Sequence, residues 1–408
     1  MEVRRQWTFR ELAAAGHLEY GDGYRTKRAE IGSTGYPILR VAEVLDGRIA
    51  PAFTEFVRPE FRAVMRGKVS RPGDVVLTTK GTVGRVALMP VGVQEFVYSP
   101  QVCYFRTPVD PLVEPGFIYY WFRSEDFRRQ AAGMKSQTDM ADYLNLADIG
   151  SLRISPPVCV EQKAIVEVLG ALDDKIALNE QLAGTALDLA GSLYEHESTG
   201  TGGWVEVALS ETARWLSGGT PKTTEPSYWG GDIPWISAAS LKTPWLYDSE
   251  RRVTSVGARN GTRLVPKGTV LFVVRGMSLT SEFRVGIAQR EVAFGQDCKA
   301  LIPHPDIDPA TLFLAIKAQT ANILGMVDLA GHGTGRLVTE RIANLRVRLP
   351  QGRSATEFAA RVGALLDRVV AATHENRTLA DLRDTLLPQL LSGKLRVRDA
   401  VRTVEEAV

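Results

Sequence analysis

Four groups of residues in this chain carry hydrogen-bonding chemistry suited to a nucleic acid. Base edges are read by Arg or Lys at guanine, Asn or Gln at adenine, and Ser or Thr at either. The phosphate backbone is gripped by cations and by exposed N–H groups, which Gly-rich loops present. Lys80-Gly81-Thr82 closes one apolar run and Arg275-Gly276-Met277-Ser278 closes another, so each places a cation, a glycine and a hydroxyl at a strand end. Arg85 and Arg284 follow on the returning strands, where they read equally as surface charges. Lys135-Ser136-Gln137-Thr138 and His332-Gly333-Thr334-Gly335-Arg336 are polar and basic, and suit phosphate or base contact. Ser217-Gly218-Gly219-Thr220-Pro221-Lys222 is a Gly-rich loop with Lys222 available for a phosphate, although a plain turn accounts for it as well. Ser237, Ser240 and Lys242 follow an aromatic run in which Tyr228, Trp229 and Trp235 are expected to pack the domain.

Catalytic chemistry is missing by the same reading. An adenine methyltransferase needs a Gly-rich cofactor loop and an Asn/Asp-Pro-Pro-aromatic motif for the flipped base. Ser155-Pro156-Pro157-Val158 lacks both the amide or carboxylate and the ring, and reads as a stiff exit from a strand. No Walker P-loop occurs. Asp297, Lys299 and Asp306 form only a loose acid–lysine grouping, read as surface loop, and Gly331 to Gly335 resembles a phosphate loop only distantly. The five histidines and three cysteines stand at no metal-ligand spacing. The chain is expected to be non-catalytic, with no cofactor or metal of its own.

The elements that position these residues repeat. Trp7 and Trp204 open similar stretches 197 residues apart, and Pro37 and Pro234 repeat that offset. The runs ending at Gly81 and Gly276 match at 195, as do Gln101 with Gln296 and Cys103 with Cys298. Arg85 matches Arg284 after a short insertion, and Ser151 to Pro157 matches Asn344 to Pro350 at 193. Six collinear matches make a duplication. The front of each half alternates short β-like runs with Gly and Pro, then adds an apolar helical piece, which predicts a compact α+β domain.

The back of each half differs. Ile165, Leu169, Leu172, Ile176, Ala183, Ala186, Ala190 and Leu193 follow a 3.5-residue repeat with Asn179 inside it. Adding 193 gives a second seam at Phe358, Val362, Leu365, Val369, Asn376, Leu379, Arg383 and Leu386, in which Arg383 is a break. Pro388 and Gly393 are expected to end the second helix. Two such helices bury their seams on each other most naturally in antiparallel fashion. About 30 to 35 residues span roughly 45–50 Å, a little over one turn of B-DNA. The expected boundaries are a domain at 1–157, a helix at 158–200, a domain at 204–350, a helix at 351–397 and a tail at 398–408.

Composition sets the outer bounds. The 408 residues are 44% apolar and 24% charged, ordinary for a soluble chain of two or three domains. With no eighteen-residue apolar run and no apolar leader, neither a membrane span nor a signal peptide is expected. Three distant cysteines argue for a reducing compartment, so the expected location is cytoplasmic. A net charge of only +2 implies weak grip on DNA by the chain alone, or help from a partner.

The stretch Ser136 to Leu182 resembles the end of a target recognition domain running into its spacer helix, as in the specificity subunits of type I restriction–modification systems. Leu216 to Leu241, Leu365 to Val397 and the order domain, helix, domain, helix resemble the same family over essentially the whole chain. Its most specific pieces are the Pro226 to Trp235 region and the helix triplets Asp174-Lys175-Ile176 and Asp367-Arg368-Val369. The first domain departs from the pattern, with Gly21 to Arg40 standing where the second has its Gly-rich and aromatic run. The resemblance implies two tandem target recognition domains, separated by two long antiparallel coiled-coil helices. Each domain would read one half of a split site in double-stranded DNA. The helices would set the gap and dock two modification (adenine methyltransferase) subunits, and restriction (motor-nuclease) subunits would complete the enzyme. S-adenosylmethionine, ATP and Mg would then sit on those partners. It also favours DNA contact for the loop at Ser217 to Lys222. Competing readings are a subunit of another phage-defence methyltransferase system, a chain that itself cuts or methylates DNA, and a repeat adaptor that binds only proteins.

Overall fold

The structure, a computed structural model, describes residues 4–50, 53–134, 143–200, 202–330 and 333–407. Lys135, Ser136, Gln137, Thr138 and His332 lie outside the described residues. The chain forms two compact units, one of Met1–Ile176 with Asn376–Val408 and one of Ala177–Glu375. Each expected domain therefore falls within a unit, and each unit also takes one end of both long helices.

Fully buried apolar runs make the central strands. In the second unit Val270–Val273 is buried at every position and lies between Cys298–Pro303 and Val285–Ala288, with Ala213–Ser217 and Trp245–Leu246 outermost. The helix Pro309–Ala318 supplies Leu312, Phe313, Leu314, Ala315 and Ile316 to the same core. A second sheet carries a parallel pairing of Trp235 with Ala293 and Ile236 with Phe294. The first unit repeats this order. Val75–Thr78, also buried throughout, lies between Val102–Arg106 and Val86–Leu88, with Glu19–Asp22 outside. Its second sheet pairs Ile38 with Val97 and Leu39 with Tyr98 in parallel.

Strand register corrects the repeat at two places. Trp7 pairs with Ile154, whereas Val207 pairs with Val347, so Trp7 corresponds to Val207 and not to Trp204. Phe9 and Leu209, both fully buried, donate their amides to Leu152 and Leu345 in the same way. Thr78 pairs with Val102, and its counterpart Val273 pairs with Cys298, so Cys298 corresponds to Val102 and Cys103 to Lys299. A one-residue slip reverses which face each side chain occupies. A cysteine match taken without the ladder therefore misplaces the strand.

Helices Cys159–Ser198 and Gly352–Ser392 run for 40 and 41 residues. Within each unit their ends are antiparallel. In the first, Asp173 meets Arg383 and the Asn376 amide donates to the Ile176 carbonyl. In the second, Asn179 donates to Glu375 at 2.8 Å and Arg361 to Glu197 at 2.8 Å. Ile165, Leu169, Leu172, Ala186 and Ala190 are buried as the seam requires. Leu366 is more deeply buried than Leu365 and Tyr194 than Leu193, the drift expected of a 3.6-residue helix against a 3.5-residue seam. Arg383 does not break the seam. Its side chain is 14% exposed and fills the position by pairing with Asp173 at 2.7 Å.

Pro388 does not end the second helix either. It lies within the last two turns, where buried Leu386, Leu387 and Leu390 hold the backbone on either side. Gly393 does the ending: with φ of 71° it turns the chain, and Lys394 donates back to the Gln389 carbonyl. Residues 398–407 of the expected tail are helical. Val397–Ala407 is a helix whose Ala400 is fully buried, packed with Val397 and Val404 in the core of the first unit.

Candidate nucleic-acid interface

In the second unit, three segments leave the five-stranded sheet at one end. Ser217 pairs with Lys299 and Val273 with Cys298, so the loop after Ser217 and the segment after Val273 emerge side by side. The loop is held from below by glycine. A Cβ on Gly218 would lie 2.3 Å from the Gly295 carbonyl oxygen, and one on Gly219 would lie 2.3 Å from that of Gly261. The two indoles fix its other side, Trp235 donating to the Gly219 carbonyl and Trp229 to the Lys222 carbonyl, each at 3.1 Å. The aromatic run thus packs the domain as expected, and it also shapes the Gly-rich loop. Arg251 covers Trp229 with its guanidinium 3.7 Å from the ring centre. Thr220 and Lys222 remain exposed, and among the described residues no hydrogen bond or ion pair engages either side chain.

The third segment closes onto the second. Leu337 donates to the Val274 carbonyl at 2.8 Å, and Arg275–Gly276 pairs with Thr334–Arg336 so that Arg275 stands opposite Arg336. Both are exposed. Like charges directly opposite across a strand pair repel, and an anion between them removes that cost. On its other side Arg336 faces Asp328, whose carboxylate already pairs with Arg341 at 3.0 Å. Thr334 and Ser278 are half-buried beside this pair.

The first unit repeats the juxtaposition. Leu144 donates to the Thr79 carbonyl at 3.0 Å, and Lys80 bridges to Tyr143 with its ammonium 5.8 Å from the ring centre. Lys80 and Arg275 therefore occupy the same place, each joined by the segment that precedes the exit to the long helix. Thr82 is exposed, and its carbonyl accepts from the Thr78 hydroxyl at 2.5 Å.

Others of the expected contact residues already have partners within the chain. Arg85 and Arg284 each donate to a carbonyl of the segment following the parallel strand, Val44 at 3.4 Å and Ala238 at 3.3 Å; Arg284 also pairs with Glu282. Ser237 and Ser240 bond one another around a turn, and Lys242 stands 3.6 Å from Glu250.

A buried ionic network lies at the opposite end of the same strands in the first unit. Arg106 holds both oxygens of Asp74, at 2.8 and 2.7 Å, and the Tyr98 hydroxyl donates to the same carboxylate at 2.7 Å. Burial pushes the Tyr98 phenol far above its ordinary range, and the Asp74 charge adds to the rise. Burial works against the Arg106 charge, but Asp74, together with Glu19 and Tyr98, outweighs it and raises the guanidinium. The Tyr98 carbonyl in turn accepts from Tyr24 at 2.7 Å, fixing the loop above.

The loop-bearing end face offers cations, hydroxyls and backbone amides, with Lys299 donating to the Ser217 hydroxyl at 2.6 Å. Among the described residues no group of three or more His, Cys, Asp or Glu could hold a metal ion. No helix there is long and apolar enough to cross a membrane.

Comparison with known proteins agrees with this architecture. The family described as type I restriction modification DNA specificity domain matches twice, over residues 6–184 and 201–365. A type I specificity subunit of Escherichia coli is 26% identical over 144 residues, 35% of this chain and 36% of that protein. The HindI specificity subunit of Haemophilus influenzae is 24% identical over 198 residues, 47% of this chain and 42% of its own length. The chain thus spans well under half the length of these two relatives. A putative Methanocaldococcus jannaschii specificity subunit is 20% identical over 428 residues, covering 97% of this chain and 95% of that one. The crystal structure of the type I system S subunit from M. genitalium shares the fold, with a TM-score of 0.56, 17% identity, and coverage of 96% of this chain and 97% of that one. Matched by its family twice over most of its length, the chain belongs to the specificity subunits of type I restriction–modification systems.

Proposed function

We propose that each unit reads one half of a bipartite site in double-stranded DNA through the end face described above. The chain directs chemistry that it does not itself perform. The observation that carries this reading is the duplicated placing of one exposed cation, Lys80 or Arg275, against the segment that precedes each long helix; in the second half that segment adds a second cation, Arg336. Lys80 with Tyr143, and Arg275 with Arg336, are set by equivalent strand pairings in the two halves. A purely structural contact has no need of an exposed guanidinium pair, whereas a phosphate satisfies one.

The long helices set the separation of the half-sites. Forty residues extend about 60 Å, more than one 34–36 Å turn of DNA. The same helices dock two modification subunits, and restriction subunits complete the assembly. S-adenosylmethionine, ATP and Mg belong to those partners. Adenine methylation across the genome, in cells expressing the modification subunit with and without this chain, tests the reading. A methylated motif that appears only with the chain supports it. An active modification subunit that methylates the same sites with or without the chain overturns it.

A further inference from the structure

The first domain carries a loop at the place of Ser217 to Lys222, although the two sequences look unrelated. Asp22 pairs with Cys103 as Ser217 pairs with Lys299, which are equivalent positions of the sheet. The next residue is glycine in both, and for the same reason. A Cβ on Gly23 would lie 2.1 Å from the Tyr98 carbonyl oxygen and 2.2 Å from that of Ser99, as one on Gly218 would strike Gly295 and Phe294. Tyr24 then donates to Tyr98, and Gly219 to Phe294. Three residues on, Glu30 donates its amide to the Lys27 carbonyl and Glu225 donates to that of Lys222. The register is continuous, so Arg25 corresponds to Thr220 and Lys27 to Lys222.

The backbone of this loop is tied down, while its cations are not. Lys68 holds its base, donating to Asp22 at 2.9 Å and to the Gly23 carbonyl at 2.8 Å. Arg25 and Lys27 are exposed, and among the described residues no hydrogen bond or ion pair engages either side chain. A rigid loop presenting uncommitted cations loses little further backbone flexibility on binding. We infer that Arg25 and Lys27 form the DNA-contacting loop of the first domain, Lys27 on a phosphate and Arg25 at a base edge where the second domain presents Thr220. This rests on reading both domains as DNA readers. It assigns the first domain a direct guanine contact at that position, since a guanidinium matches guanine O6 and N7.

The test uses the full chain in complex with its modification subunits, and duplex DNA of random sequence at several salt concentrations. Lys27→Ala is expected to weaken binding roughly threefold and to lower the salt slope by about one. Lys27→Arg restores both, and Lys27→Glu exceeds the alanine loss. Arg402→Ala, an exposed charge on the C-terminal helix, serves as the control for net charge. Thermal melting of each variant separates folding from contact. If Lys27→Ala matches Arg402→Ala while Lys222→Ala still weakens binding, the inference is overturned and the DNA reading stands. If the unaltered complex does not bind, both fall. In cells, Arg25→Ala should relax one guanine in one half of the methylated motif; an unchanged motif removes the assignment to that base.

Discussion

The two units share one topology but hold it together by different means. In the first, Asp74, Arg106 and Tyr98 form a buried network, with the Arg106 and Asp74 side chains 8% and 1% exposed. The second places Thr269, Ile302 and Phe294 at the same three positions, and Thr269 donates only to the nearby Pro266 carbonyl. A similar contrast recurs at the helices. Asp173 binds Arg123, Arg383 and Tyr120, whereas its counterpart Leu366 is buried among apolar side chains. The common fold therefore does not depend on the ionic network, because the second unit forms without it. Removing half of a buried pair is a different matter, since it strands the other charge.

The largest expected effect tests that asymmetry. Asp74→Ala leaves a buried guanidinium uncompensated and should cost the first unit about 3–5 kcal/mol. Thr269→Ala should cost the second only about 1 kcal/mol. Denaturant midpoints, resolved by unit through hydrogen exchange, measure both; equal losses would refute the contrast.

The units agree at the glycine that opens each loop. Gly23→Ala and Gly218→Ala each drive a methyl into a backbone carbonyl, and overpacking of this kind costs about 1–3 kcal/mol. Both should also weaken DNA binding by displacing their loops. A large effect in one unit only would contradict the shared register.

A smaller difference should appear at alkaline pH. Burial raises the phenols of Tyr98, Tyr104, Tyr119 and Tyr120 in the first unit, that of Tyr119 to about 12. In the second unit burial raises Tyr194, also to about 12. Below about pH 10 these phenols are protonated folded or unfolded, and their stabilising contribution is complete. Between that pH and the folded values only the unfolded chain releases its protons, so stability falls as pH rises. Urea midpoints at about pH 9 and 11 should drop more for the first unit than for the second, and Tyr98→Phe with Tyr120→Phe should narrow the gap. Equal drops would show that the phenols do not distinguish the units.

The smallest effects are expected at the proposed contact residues. Lys80→Ala and Arg275→Ala should each weaken binding of the assembled complex roughly threefold. Fluorescence anisotropy on a labelled duplex measures both. An effect of Arg275→Ala alone would confine the contact to the second unit.

Much of this architecture is legible in the sequence, because the features that reveal it are periodic. The seam from Ile165 to Ala190 and the matched runs before Gly81 and Gly276 survive duplication, since burial constrains them. What escapes is set by ladder pairing. Trp7 lines up with Trp204 by residue type, yet backbone register assigns it Val207; Cys103 and Cys298 mislead in the same way. Pro388 reads as a breaker until its buried neighbours are seen to hold the helix through it. The loop of the first domain was present as Gly23, Lys27 and Glu30 against Gly218, Lys222 and Glu225, three identities at an offset of 195. Such a sparse match becomes persuasive only when the carbonyls beneath each glycine show why no other residue fits. The pairing of Arg275 with Arg336, 61 residues apart, has no local signal at all.

The most direct test of two readers built on one plan is a domain exchange. Residues 204–350 would be replaced by the equivalent region of another specificity subunit, and the methylated motif determined in cells supplying the modification subunit. The account predicts a split motif in which one half changes while the other half and the gap stay the same. A motif that changes in both halves, or a continuous one, would contradict it.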